Sequence, residues 1–422
     1  MNANKVIMYG AQTIVYGAEA ESHEALTLVE RVRFAARRYY HGSRDAARFR
    51  AGDVSKLDYR NYEGRDAINL GDVAIAESTT ALIKHALPIA DISPINWGRL
   101  DLHEINDIDA KKTMLIFSGS GYFFLNPDGR LAERINDDLA YLQEHAISAF
   151  FFGVGLNKPG QTTATKPSGF HPEDAAMVAK LLERVQGISV RDATTQSILT
   201  PLTSKPVVLI SDPALHFCHL MGIQKPFDKK HLAENAPPII GVNFSFHGKN
   251  STALLKKNLQ AYCDVLLKLQ HENGAEFRYF VHYGTENVLP KLLAQRGIKI
   301  KKVPTGTQRA GAGDTVALAR EYAKLDLHIG GMLHSCILAT SAGTPCLALA
   351  YDIKHQGFFD LMGLPENCFS AANFNPDALY LRAMSLLANP APVRNQIALR
   401  RKELQAITQA FIQKTLHPYT ET

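Results

Sequence analysis

Apolar and polar positions along this chain alternate between short apolar runs and longer segments of helical period. The clearest block is 325–363, LDLHIGGMLHSCILATSAGTPCLALAYDIKHQGFFDLMG. Residues 325–329 read as a buried parallel strand, since a strand covered on both faces shows a continuous apolar run. Gly330 and Gly331 then admit a sharp turn with close backbone approach. Residues 332–341 carry Leu333, Cys336, Ile337 and Thr340 at helical spacing, Gly343 and Pro345 stop that helix, and residues 346–350 form a second apolar strand.

The same alternation fills the rest of the chain. Strands are predicted at 5–10, 113–118, 147–154, 188–190 and 207–210, with helices at 20–41, 72–83, 128–143, 172–186 and from 193. This is the βαβ order of a doubly wound sheet. Residues 42–66 are rich in Arg, Asp, Gly and Tyr, with Arg44, Arg48 and Arg50 close together. They read as a solvated loop, with a basic flap over a site as the alternative. The stretch 222–238, GIQKPFDKKHLAENAPP, has three prolines and no apolar period and is the linker. Strands then return at 239–245, 277–282 and 298–303, with helices at 251–271 and 286–296. A glycine-rich loop at 305–313 leads to a helix capped by Asp314, and 377–417 is mostly helical. The expected fold is α/β: two facing Rossmann-like domains, 1–221 and 239–385, with a helical tail, 386–422, that returns to the first domain.

Composition narrows the class without deciding it. The chain has 422 residues, 46% apolar and 21% charged, an ordinary globular balance with room for two domains. Its net charge of +5 suits an acidic ligand or an anionic membrane face and is too mild for nucleic acid. Cys218, Cys263, Cys336, Cys346 and Cys368 are odd in number and form no C-x-x-C pair, so neither a disulfide framework nor a zinc site is expected, and a reducing cytoplasm fits. The N-terminus has no signal-peptide pattern and no apolar run is long enough to span a bilayer.

The candidate chemistry gathers at strand ends. A helix opening after Gly330-Gly331 presents free N–H groups and a positive dipole end to an anion. His334 lies in its first turn and Lys354 just past the next strand, so a helix N-terminus and two cationic or proton-donating groups converge on one crevice. Asp72 is read as the N-cap of the helix after Asn69 and Gly71. Asp72 and Asp192 are expected to cap or turn the backbone, whereas Asp212 at a strand end is the best placed of the three to act as a base.

Ordered landmarks carry a resemblance: N-x-G-D at Asn69–Asp72, the glycine turn at 119–121, V-R-D at 190–192, D-P-A-L at 212–215, G-V-N at 241–243, and L-H-S with a downstream Y-x-x-K at 333–354. Together they resemble the polysaccharide pyruvyl transferase family, whose fold is similar to two-domain, glycosyltransferase-B-like enzymes. The resemblance implies transfer of the enolpyruvyl part of phosphoenolpyruvate to two hydroxyls of a sugar, giving a cyclic ketal and phosphate, in cytoplasmic synthesis of a surface polysaccharide such as an exopolysaccharide or capsule. It assigns His334 as the general acid and Arg191 and Lys354 as anion clamps; Asp212 stays the base that its place at a strand end suggests, and Gly330, Gly331, Ser335, Asn69 and Asp72 are expected beside the substrate. The resemblance implies no cofactor and no metal. The implied partners are phosphoenolpyruvate and a sugar or lipid-linked oligosaccharide acceptor; the positive charge adds peripheral contact with the inner face of a membrane as an option, and a homo-oligomer is left open.

One position departs from the pattern: Met332 stands where the family has Arg before Leu-His. An anion clamp is lost there, and Arg309 in the glycine-rich loop is the substitute the sequence offers. Two alternatives follow, a nucleotide-sugar-dependent glycosyltransferase and a non-catalytic relative. Against the first, no Glu stands at the end of the 332–341 helix to hold a ribose. Ala310–Asp314 is similar to the anion-hole turn of sugar kinases, but the order of elements around it does not fit.

Overall fold

The computed structural model describes residues 3–9, 28–62, 69–87, 91–95, 109–119, 121–126, 128–158, 169–224, 236–304 and 312–420. The strands are β1 (Lys5–Tyr9), β2 (Asp91–Ile95), β3 (Thr113–Ser118), β4 (Phe123–Phe124), β5 (Ser148–Val154), β6 (Leu156–Asn157), β7 (Gly187–Val190), β8 (Val207–Leu209), β9 (Ile239–Asn243), β10 (Glu276–Tyr279), β11 (Ile300–Lys302), β12 (Leu327–Gly330), β13 (Cys346–Ala350) and β14 (Cys368–Ser370). The helices are α1 (Leu28–Arg50), α2 (Leu70–Ala86), α3 (Arg134–Glu144), α4 (Pro172–Arg184), α5 (Ala193–Leu199), α6 (Phe217–Leu220), α7 (Lys249–Asn273), α8 (Leu289–Gln295), α9 (Ala312–Ala323), α10 (Leu333–Ser341), α11 (Ile353–Leu361), α12 (Pro376–Ala388) and α13 (Ala391–Phe411).

Two six-stranded sheets result, in the orders β2-β1-β3-β5-β7-β8 and β11-β10-β9-β12-β13-β14, while β4 and β6 form a separate pair. Neighbouring strands are parallel throughout, which demands a crossover between them and explains the helix after nearly every strand. Both sheets are Rossmann-like, with strand order reversing at β1 and at β9, and in such sheets ligands lodge beyond the carboxyl ends of the strands at the reversal. β3, β5 and β13 are buried at every residue, as their continuous apolar runs require.

The core does not divide as the strands do. One cluster fills the second sheet and also takes in Ala46, Phe49, Leu57 and Tyr62, the α2 residues Leu70, Ala74 and Ile75, and Ala214–Cys218. α1 is thereby packed against the second sheet, and α2 against both, since its Ala76, Leu82 and Ile83 lie with the first. The tail returns to the first sheet: Phe411, Ile412 and Leu416 lie among Val6, Met8, Phe150 and Phe152.

Several elements differ from expectation. α1 runs on to Arg50, through the start of the stretch read as a loop, because Ala46 and Phe49 continue its apolar face into the core and buried Asp45 accepts a 2.6 Å hydrogen bond from Tyr62. Residues 20–27 and 63–66 of those two predictions lie outside the described residues, as do 225–235 of the linker and 305–311 of the glycine-rich loop. α3 begins at Arg134, not 128. α9 begins at Ala312, which puts Asp314 inside its first turn rather than at its cap. β2 was not anticipated; its Pro94 is tolerated because β2 is the edge of its sheet. All five cysteines are free thiols. Among the described residues no helix is long and apolar enough to cross a membrane.

Candidate functional site

The site begins with three glycine-bearing turns. After β12 the chain passes Gly330 and Gly331 with no positive φ. These glycines are needed for space: a Cβ on Gly331 would lie 2.6 Å from the Ser245 nitrogen and one on Gly330 2.6 Å from the Ser335 hydroxyl. Asn243, at the end of β9, fixes this turn. Its carbonyl accepts from the Gly331 N–H at 2.7 Å and its side-chain oxygen accepts from the Met332 N–H at 2.8 Å. Met332 is the buried N-cap of α10, so His334 emerges from the first turn in one orientation.

Across the cleft, the N-terminus of α2 meets that histidine. Asn69, not Asp72, is the N-cap: its side-chain oxygen accepts from the Gly71 N–H at 3.1 Å, while its amide donates to the Asp72 carboxylate at 3.0 Å. Asp72 is thus released from capping and turned toward the cleft, where its Oδ1 lies 3.7 Å from His334 Nδ1. A Cβ on Gly71 would land inside the His334 side chain.

Asp212 approaches the other ring nitrogen, with Oδ2 3.7 Å from His334 Nε2 and 2.9 Å from Arg191 Nη1. It also caps the short turn after β8 by accepting from the Ala214 N–H at 3.1 Å. His334 Nε2 is buried with no hydrogen-bond partner among the described residues. Arg191 follows β7, its guanidinium passing over Gly155, where a Cβ would come within 2.5 Å of Nε. Asp192 caps α5 as expected, accepting from the Thr195 N–H at 2.7 Å. Lys354 rises from the first turn of α11, and its Nζ reaches Asn157 Oδ1 of β6 at 3.5 Å.

The electrostatics separate the two carboxylates. Burial works to raise Asp212, but His334 and Arg191 outweigh it and hold the group at about 2. Asp72 is raised instead, first by burial and then by Asp212, against the pull of His334. Burial works to lower Lys354, but Tyr351 and Asp352 raise it while Arg191 opposes them. Two cations from opposite domains that repel one another, with no carboxylate salt-bridged to Lys354 among the described residues, make a place for an anion.

Other expected residues stand further back. Ser335 is buried, donating to the Met332 carbonyl at 2.8 Å and lying 3.1 Å from His328 Nε2, so its hydroxyl is used inside the fold. Gly330 belongs to the sheet, paired with Asn243 and Ala348. Arg309 lies outside the described residues. Among the described residues no group of three His, Cys, Asp or Glu is placed to hold a metal ion.

The sequence model for polysaccharide pyruvyl transferase matches residues 69–353, well over half the chain and every described site residue except Lys354. The chain belongs to the polysaccharide pyruvyl transferase family. A comparison with curated protein sequences gives no match. Among solved structures it is similar to a putative UDP-N-acetylglucosamine 2-epimerase from Listeria monocytogenes, with 14% identity, 77% of this chain and 79% of that one covered and a TM-score of 0.46. A UDP-GlcNAc 2-epimerase from Neisseria meningitidis gives 12% identity, 81% and 96% coverage and 0.44, and a sucrose-phosphate synthase from Thermosynechococcus elongatus 13%, 73% and 72%, and 0.43.

In this pyruvyl transferase family member the sequence did not point to a layer beneath the site. Buried Glu286 accepts from Asn243 Nδ2 at 2.9 Å and from the His282 N–H at 2.8 Å, so it steadies the Asn243 clamp on Met332 and, through it, His334. The only available signal was Asn243 at the end of the G-V-N strand. Burial pushes Glu286 up to about 8 against these hydrogen bonds. Its contribution to stability is therefore fully present below the unfolded value near 4.5 and is lost as pH rises through about 8, at up to about 1.4 kcal/mol per pH unit. Glu286→Gln, fixed in the neutral form, is expected to flatten that decline in urea titrations across the window. A parallel decline in both proteins would show that Glu286 is not the group responsible.

Proposed function

We propose that the protein transfers the pyruvyl group of phosphoenolpyruvate to two hydroxyls of a sugar in a surface polysaccharide or its precursor, forming a cyclic ketal and releasing phosphate. The observation that carries this reading is His334 held between Asp72 and Asp212, with Arg191 and Lys354 brought to the same crevice from opposite domains. Phosphoenolpyruvate carries a phosphate and a carboxylate and calls for two cationic groups.

His334 gives a proton to the C3 methylene carbon, and C2 becomes electrophilic. A sugar hydroxyl oxygen bonds to C2 and its proton passes to a carboxylate. Asp72, pushed up by burial, is the better acceptor; Asp212 at about 2 is a poor one and serves instead to hold His334 and Arg191. The C2–O bond to phosphorus breaks, phosphate leaves between the cations, and the second hydroxyl closes the ketal, its proton leaving with phosphate. The reading includes a cytoplasmic location, where phosphoenolpyruvate is available as donor.

Calorimetric titration of phosphoenolpyruvate tests the donor site. Arg191→Ala and Lys354→Ala should each weaken binding tenfold or more, about 1.4 kcal/mol. Absence of binding to the unaltered protein, together with stabilisation by a nucleotide sugar in a thermal melt, would replace this reading with a glycosyltransferase.

A further inference from the structure

The N-terminal half of α1 is the most unusual surface on the molecule. Val29, Val32, Tyr39 and Tyr40 are 66%, 60%, 75% and 61% exposed, four of the seven large apolar side chains found in the open among the described residues. With exposed Ala36 they follow the i, i+3, i+7 spacing and form one stripe along the helix. A stripe of this kind normally faces a core. The C-terminal half of α1 has one: Ala46 and Phe49 are buried, Arg50 donates to Gln295 of α8, and Arg296 lies 5.6 Å over the Phe49 ring. The helix is therefore moored at one end and presents its apolar stripe at the other.

The charge on α1 says what covers that stripe. Its sequence has seven arginines against two acids, a net +5 equal to that of the whole chain. Arg33 and Arg37 are exposed beside the stripe. A second copy docked on this face would set arginine against arginine. Anionic lipid headgroups complement it: arginine stems lie along apolar surface with their heads in the phosphate layer, and tyrosine favours the same depth. We infer that α1 docks the protein on an anionic membrane surface, lying in the headgroup plane with Val29, Val32, Tyr39 and Tyr40 inserted. The inference does not rest on the donor assigned above.

Flotation of the full chain with vesicles tests it. Binding to phosphatidylcholine vesicles containing a quarter phosphatidylglycerol should exceed binding to phosphatidylcholine alone by about tenfold and fall sharply between about 0.05 and about 0.5 M salt. Val29→Asp with Val32→Asp should abolish insertion, and Arg33→Glu with Arg37→Glu should remove the preference for anionic lipid. Tyr39→Ser with Tyr40→Ser is a milder variant should the first pair fail to fold, with circular dichroism and melting temperature unchanged as the control. No binding to either vesicle, or equal binding by folded variants, overturns the inference. A dimer in light scattering that the Asp variants break, without vesicle binding, assigns the stripe to a second copy instead.

Discussion

His334→Ala is expected to lower kcat by about 10²- to 10⁴-fold, the span a positioned general acid supplies, while phosphoenolpyruvate still binds. The expectation follows from place more than from residue type. His334 is the only side chain described that lies 3.7 Å from a carboxylate at each ring nitrogen, and its Nε2 has no hydrogen-bond partner among the described residues. Removing it also takes away a group that holds Asp212 near 2. Asp212 keeps Arg191 at 2.9 Å, so the fold should survive; Arg191→Ala, which strands a buried carboxylate, should cost about 3–5 kcal/mol of stability. Phosphate release in a single turnover is the readout. A His334→Ala protein that binds the donor and turns over within a factor of a few of the unaltered protein would remove His334 from the chemistry.

The second large effect is expected from a single methyl group. Gly71→Ala places a Cβ within the Cβ, Cγ and Nδ1 atoms of His334, far closer than side-chain atoms ever approach. Either the α2 N-terminus withdraws or the imidazole turns out of its slot, and both break its alignment with Asp72 and Asp212. Misplacement of about 1 Å can cost about a hundredfold in rate, and that is the loss expected in kcat. Gly169→Ala, where nothing lies within 4 Å, is the control for a glycine change without consequence. The two variants should melt within a few degrees of one another, because α2 stays anchored by Ala74 and Ile75 in the core. Equal kcat in both would mean that the α2 and α10 ends are not held against one another in the working enzyme.

Much of this is legible in the sequence. Residues 325–363 are apolar enough, and broken by glycine and proline sharply enough, that β12, α10 and β13 could be placed within a residue or two. Arg191, Asp212, His334 and Lys354 all stand just past apolar strands, which is where a parallel sheet puts its ligand. What escaped was decided by tertiary contact. Asp72 and Asn69 are both good caps, and only the nearby histidine shows why Asn69 takes the cap and leaves the carboxylate free. Asn157 and Glu286 follow no periodicity that would single them out. The close approach expected at Gly330 and Gly331 is present: the backbone of residues 243–245 crowds Gly331, and the Cys336 and Ser335 side chains crowd Gly330. Residues 42–50 carry so many arginines that Ala46 and Phe49 were too sparse to read as a helical face.

The ends of the described chain meet on the first sheet. The Ala3 N–H donates to the Tyr419 carbonyl at 2.9 Å, and Phe411, Ile412 and Leu416 close the same face of the sheet that Val6 and Met8 begin. A ribosome delivers these partners in the wrong order for early folding. β1, β3 and β5 are complete long before residue 411 is made, and until then Val6, Met8, Phe150 and Phe152 are covered only in part, by Ala76, Leu82, Ile83 and Leu87. The nascent protein therefore carries an incompletely covered apolar sheet face until residues 411–416 are made. Shielding of that face during synthesis will bear on its yield in the cell, alongside the stability of the finished fold.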